Sequence, residues 1–382
     1  MKLNKTMGRV ATTLVATAML ASVAAPAYAA TPTGADSQNT MTFNKTITVN
    51  NTVYGPKAEF TYAIEGTLDK EPVNGVTIKG GVHADQVKIN GTTETTDDKV
   101  TFVAGEAATE GKITKTVSLD FSGVDFPEPG IYRYKVTETF ADANENPDIV
   151  NGSNTVRYVD VTVKNEMQGD TPTGKLVIAG YQILSSDATL QYDAESQQYS
   201  YVGGTTAKSA GYEDATYTTY DLTLDKVVKG DMGSKGETFD FTIEFAGGDA
   251  GEKFNYGGKD YTFDAEGEVS VTGIELADAT DPIMITGLPS DVQYTIVENI
   301  NKTKGYTTTA TVNGADATVT SADETQTVAQ QDKSQSTDAV VVTNTKASVS
   351  PTGIVMDIAP YALLVVVAAA GCFVFMRKRR ED

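Results

Sequence analysis

The chain has 382 residues, with 51 acidic side chains against 30 basic ones, a net charge of −21 and a pI near 4.4. A surface this acidic repels phosphate backbones, which excludes nucleic acid as a partner. The single cysteine, Cys372, and the single histidine, His83, allow neither a disulfide nor a His/Cys zinc set, and no cofactor is expected.

At the N-terminus, Lys2, Lys5 and Arg9 precede an apolar run, and Ala27, Tyr28 and Ala29 have the A-x-A spacing of a cleavage site. Residues 1–30 are expected to be a secretory signal and 31–39 a flexible leader. From residue 40 the sequence reads as β throughout. Short runs rich in Val, Thr, Tyr and Phe, such as 100–103, 131–136, 155–163, 239–245 and 294–297, alternate with Gly, Asn and Asp turns. The expected fold is all-β, with two tandem sandwiches at 40–216 and 217–346.

Strict alternation from Met41 puts Phe43, Lys45, Ile47 and Val49 on one strand face, and Leu222, Leu224, Lys226 and Val228 group the same way. A lysine on an apolar face needs a buried partner. In 131–138, Arg133, Lys135 and Thr137 are expected to face water, while Tyr132, Tyr134, Val136 and Glu138 face the core. Val292, Tyr294, Ile296 and Glu298 form a similar inward set, and Asn344 shares a face with Val340 and Val342. Two readings stay open for Lys226, Glu298 and Asn344. They form a buried ion pair with a neighbouring amide, or they react. Burial disfavours the ammonium and favours a protonated carboxyl, so Lys226 Nζ can attack Asn344 Cγ, release ammonia and leave an amide, with Glu298 moving protons.

The chain ends with 350–353 (SPTG), an uncharged span from Ile358 to Met376 and the basic cluster 377–380. That span is long enough to cross a bilayer, and the basic cluster keeps the tail cytoplasmic. The order of motif, apolar span and positive tail resembles the cell-wall sorting signal of Gram-positive surface proteins. The resemblance implies that a sortase cleaves between Thr352 and Gly353, within a motif region at 347–353, and removes 354–382. Ser350 stands where that signal usually has a hydrophobic residue.

Longer segments extend the resemblance: 117–126 (VSLDFSGVDF), 129–138 (PGIYRYKVTE), 222–226 (LTLDK), 287–298 (GLPSDVQYTIVE) and 342–344 (VTN). Together they resemble the backbone pilins of Gram-positive bacteria, of the streptococcal T-antigen type. The resemblance implies two immunoglobulin-like sandwiches, each locked by a Lys–Asn isopeptide bond that a glutamate promotes. It carries over Lys226, Glu298 and Asn344 for the second sandwich, and Lys45 and Glu138 for the first. The third member of the first set departs from the family pattern. Asp214, within Tyr212-Glu213-Asp214, is expected there, joining Lys45 with loss of water, and Asn165 is the runner-up.

The family also implies a lysine that links subunits through the sortase-bound threonine. Lys208 is expected in that role, ahead of Lys229. The implied protein is a shaft subunit of a covalent, wall-anchored pilus and not an enzyme. Its implied partners are sortase, further copies of itself, minor pilins, peptidoglycan and host surface receptors. A monomeric wall-anchored adhesin or a minor pilin at the tip or base is the competing reading. A secreted enzyme is disfavoured by the residue inventory.

Overall fold

A computed structural model describes residues 39–91, 98–140, 148–290, 292–299, 305–321, 325–331 and 337–348. The expected signal sequence, Thr352, Gly353 and the C-terminal apolar span lie outside the described residues. No helix among the described residues is long and apolar enough to cross a membrane.

Apart from two short 3₁₀ turns, the regular structure is β. In chain order the first part contains β1 (Thr40–Asn50), β2 (Ala58–Gly66), β3 (Ile78–Gly80), β4 (Lys88–Ile89), β5 (Lys99–Phe102), β6 (Lys112–Asp120) and β7 (Gly130–Phe140). It continues with β8 (Ile149–Val150), β9 (Val156–Gln168), β10 (Thr171–Leu184), β11 (Leu190–Asp193), β12 (Gln198–Tyr201) and β13 (Ala215–Thr218). One sheet runs β4-β6-β1-β13-β8; the other runs β10-β9-β7-β2-β5, with β3 beside β7. Their inward side chains meet in one core reaching from Met41 to Tyr217.

The second part contains β14 (Tyr220–Lys229), β15 (Phe239–Ala246), β16 (Lys253–Tyr256), β17 (Lys259–Thr262), β18 (Glu268–Leu276) and β19 (Ile283–Leu288). After these come β20 (Gln293–Asn299), β21 (Thr307–Val312), β22 (Ala315–Ala317), β23 (Thr320–Ser321), β24 (Thr325–Gln331) and β25 (Asp338–Thr345). The sheets β17-β16-β19-β14-β25-β21-β22 and β18-β15-β20-β24-β23 enclose a separate core from Tyr220 to Val342. In each sandwich an early strand lies parallel to a late one. β1 pairs with β13 from Ile47 opposite Ala215, and β14 pairs with β25 from Leu222 opposite Asp338 to Lys229 opposite Thr345. Such a pair closes a loop of most of the sandwich, which makes it the place where a cross-link constrains the most chain.

The alternation read from the sequence holds on β1, where Met41, Phe43, Lys45, Ile47 and Val49 are buried, and on β20, where Tyr294, Ile296 and Glu298 are. It fails at Arg133. Tyr132, Tyr134, Val136 and Glu138 face the core as expected, but Arg133 is also fully buried. The segment between β10 and β13 folds over the outer face of β7 and β9 and removes the water that alternation assumed. Arg133 Nε and Nη2 donate to the two carboxylate oxygens of Asp160 at 2.7 and 2.8 Å, and Nη1 donates to Asp187 and to the Ala188 carbonyl. Tyr201 of β12 donates to the same Asp160. A fork-shaped cation thereby moors the β11–β12 ribbon to the sheet.

Candidate functional site

In each sandwich a buried lysine and a buried glutamate meet from opposite sheets, and an asparagine joins them from the lysine's sheet. The second sandwich brings the three expected side chains together. Lys226 lies on β14, Asn344 on the parallel strand β25, and Glu298 on β20 across the core. All three are at most 2% exposed. Lys226 Nζ is 3.1 Å from Glu298 Oε1, yet the approach is not aligned as a hydrogen bond and the nitrogen has no directed acceptor. It rests over the Phe239 ring, 4.3 Å from the centroid, with Phe241 behind it. Burial pushes the Lys226 ammonium down to about 8, against the opposing pull of the Glu298 charge. Asn344 Nδ2 donates to Glu298 Oε1 at 2.7 Å, and Asn344 Oδ1 accepts from Thr308 Oγ1 at 2.7 Å. An amine stripped of water, a carboxylate between it and an amide, and a polarised amide carbonyl are the ingredients of amide exchange.

The first sandwich brings Lys45 of β1 to Glu138 of β7, with Nζ–Oε1 at 2.9 Å and both side chains sealed from solvent. Tyr62 OH holds the other oxygen, Oε2, at 2.8 Å. Phe43, Tyr62 and Tyr212 pack edge-on and tilted around the site, and Lys45 Nζ lies 4.4 Å from the centroid of Phe60. Burial lowers the Lys45 pKa, opposed mainly by the Glu138 charge and hydrogen bond.

Asp214, expected as the third member, does not face this pair. Asp214 points out of the sheet, where it pairs with the exposed Lys112 at 2.9 Å. Alternation on β13 gives the reason: Ala215 and Tyr217 face the core, which turns Asp214 and Thr216 away. Asn151 stands beside Lys45 instead. Lys45 Nζ donates to Asn151 Oδ1 at 2.7 Å and to the Glu213 carbonyl at 3.1 Å, while Asn151 Nδ2 donates to Glu138 Oε1 at 3.0 Å. Asn151 directly follows β8, whose pairing of Val150 with Thr216 brings the next residue level with Ala215, the partner of Ile47 on β1. Gly152 permits this approach, since a Cβ there would meet Glu213 Cβ at 2.5 Å. No strand periodicity marks Asn151, and Asn-Gly reads as an ordinary turn. Only the tertiary path reveals it.

Of the remaining expected residues, Asn165 sits in β9 opposite Leu176, and Lys229 is exposed at the end of β14. Lys208 is half-buried and caps the 3₁₀ turn Gly204–Ala207. It immediately precedes a cleft of about 500 Å³ lined by Thr42, Asn44 and Thr46 of β1, by Arg157 and by residues 209–214. Arg157 holds that segment in place through the Gly211 carbonyl at 2.6 Å. His83 is exposed.

Residues 220–346 match a family described as a domain of unknown function, DUF7601. Over 344 residues, 87% of this chain and 88% of the relative, the sequence is 28% identical to a protein named pilin from Streptococcus pyogenes serotype M1. The fold matches the solved major pilin protein T3.2 of Streptococcus pyogenes over 81% of this chain and 99% of that one, with a TM-score of 0.51 at 22% identity. A second solved major pilin of that organism gives 0.50 at 19% identity over the same shares. These likenesses agree with the resemblance read from the sequence: the chain is similar in sequence to a streptococcal pilin and shares the fold of the solved streptococcal major pilins.

Proposed function

We propose that the chain is a shaft subunit of a covalently polymerised pilus on the cell surface, stiffened by two internal isopeptide bonds that it forms by itself. The observation that carries this reading is the second site, where Lys226, Glu298 and Asn344 meet in a dry interior with the amine unbonded and the amide already on the carboxylate. As an ion pair alone, this group would cost desolvation that apolar residues of similar size avoid. Condensation removes both the charge and the cost. In the first sandwich the acceptor is Asn151, so the Lys45 bond also releases ammonia, and Glu138 is its proton carrier.

Polymerisation needs a second kind of bond. A sortase cleaves after Thr352 and passes the threonyl carbonyl to Lys208 of the neighbouring copy, beside the cleft at β1. The last subunit goes to peptidoglycan, and minor pilins and host receptors are the remaining partners. Tension along such a fibre enters near each end of a sandwich and is carried by covalent links between early and late strands. A chain without external cysteines gains in this way what secreted proteins usually obtain from disulfides.

The test is electrophoresis of wall extracts in sodium dodecyl sulfate. A ladder of rising mass that contains this chain, and that disappears in Lys208→Ala, is the expected result. A single monomer band in the unaltered strain would instead favour a monomeric adhesin, and a ladder surviving Lys208→Ala would reject Lys208 as the linking residue.

A further inference from the structure

Thr308 and Gln326 complete the second site, and their geometry assigns them work. Thr308 of β21 stands directly opposite Asn344 of β25 and donates to Asn344 Oδ1 at 2.7 Å. A hydroxyl has one proton to give, so its direction matters. Gln326 of β24 fixes that direction: its Nε2 donates both to Thr308 Oγ1 and to Glu298 Oε2. The amide must be turned this way, because its carbonyl oxygen against the Glu298 carboxylate would set two acceptors together. With a donor seated on its lone pair, the Thr308 hydroxyl has two acceptors within reach, Asn344 Oδ1 at 2.7 Å and Glu298 Oε2 at 3.4 Å, and the shorter contact takes its proton.

We propose that Thr308 is the oxyanion donor of the second site, aimed by Gln326 as a positioning residue. The proposal rests on the reading that Lys226 and Asn344 condense. The Lys226 ammonium first gives a proton to Glu298; the lone pair this frees on Nζ forms the new bond to Asn344 Cγ, and the carbonyl π pair moves onto Oδ1. Glu298 then passes its proton to Nδ2 and takes the second proton from Nζ. When the carbonyl reforms, the Cγ–Nδ2 bond breaks and ammonia leaves. Atoms and electrons balance without any further reactant. Full negative charge sits on Oδ1 only in the middle of this sequence, so a donor already placed there stabilises that stage more than the starting amide. Among the described residues the first site has no hydroxyl in this place: Asn151 Oδ1 faces Lys45 Nζ itself. It therefore serves as a control within the same molecule.

The experiment uses the full chain made in a short cell-free pulse, quenched at intervals into acidic denaturant and digested. The cross-linked peptides of both sites are then counted by mass spectrometry. Thr308→Val is expected to slow the Lys226–Asn344 peptide by about 10²-fold or more, the usual effect of losing one oxyanion donor. Thr308→Ser restores the rate, Gln326→Leu slows the same peptide, and the Lys45–Asn151 peptide keeps its rate throughout. A wild-type rate in Thr308→Val overturns the proposal while leaving condensation intact. Equal slowing at both sites also overturns it, as the mark of a general folding defect. Absence of the Lys226–Asn344 peptide from the unaltered chain overturns condensation itself.

Discussion

Replacing Asn344 with alanine removes the acceptor while leaving Lys226 paired with Glu298 across the core, so it separates the covalent contribution from the ionic one. The bond would close a loop of roughly 120 residues, for which chain entropy alone gives about 5 kcal/mol. Two hydrogen bonds also go, from Thr308 to Oδ1 and from Nδ2 to Glu298, adding about 1–3 kcal/mol. For a sandwich of this size, about 5 kcal/mol corresponds to a fall in melting temperature of roughly 15–20 °C. Calorimetry of the full chain should show the transition of the second sandwich moving down by at least that amount while the other stays in place. The variant should also migrate more slowly in denaturing gels, because its unfolded chain is no longer looped. A fall of only a few degrees with unchanged mobility would mean that just the hydrogen bonds had been lost and that no cross-link joins Lys226 to Asn344.

Further outcomes follow from the same geometry. In Asn344→Ala the unreacted Lys226, depressed to about 8 by burial, binds fewer protons folded than unfolded between that value and about 10.5. Stability of that variant should therefore rise with pH across this window, by up to about 3 kcal/mol in guanidinium titrations, whereas the unaltered chain should lack the rise because its amine is consumed. Arg133→Met leaves Asp160 buried without its cation, at a cost of about 3–5 kcal/mol. Limited proteolysis should then cut within β11–β12 well before it cuts elsewhere, and early cleavage at other loops would contradict the mooring role. Asp214→Ala should leave the first bond intact, while Asn151→Ala should abolish it. The reverse pattern in peptide mass maps would reinstate aspartate as the acceptor.

Much of the second site is legible in the sequence because all three of its members lie within strands, where a period of two assigns each side chain to a face. Lys226 interrupts an apolar stripe while Glu298 and Asn344 each end one, and polar residues so placed are visible without a structure. The first site is only two-thirds legible. Lys45 and Glu138 are on strands, but Asn151 follows a two-residue strand, too short to show a period, and its place depends on β8 joining β13 and on β13 joining β1. Arg133 departs from alternation for a related reason. Alternation tells which face a residue occupies but not whether another segment covers that face, and the cover here comes from residues more than fifty positions away. Thr308 and Gln326 could not be singled out at all, since threonine and glutamine are common in exposed strands and only the register opposite Asn344 and Glu298 gives them meaning.

The most direct test of spontaneous condensation is the intact mass of the secreted region, residues 31–353, at a resolution of one dalton. Loss of two ammonia molecules predicts a value about 34 Da below that of the unmodified sequence, and about 17 Da would place a bond in one sandwich alone. A measured mass equal to that of the unmodified sequence would contradict the account, leaving two buried ion pairs where covalent bonds are claimed.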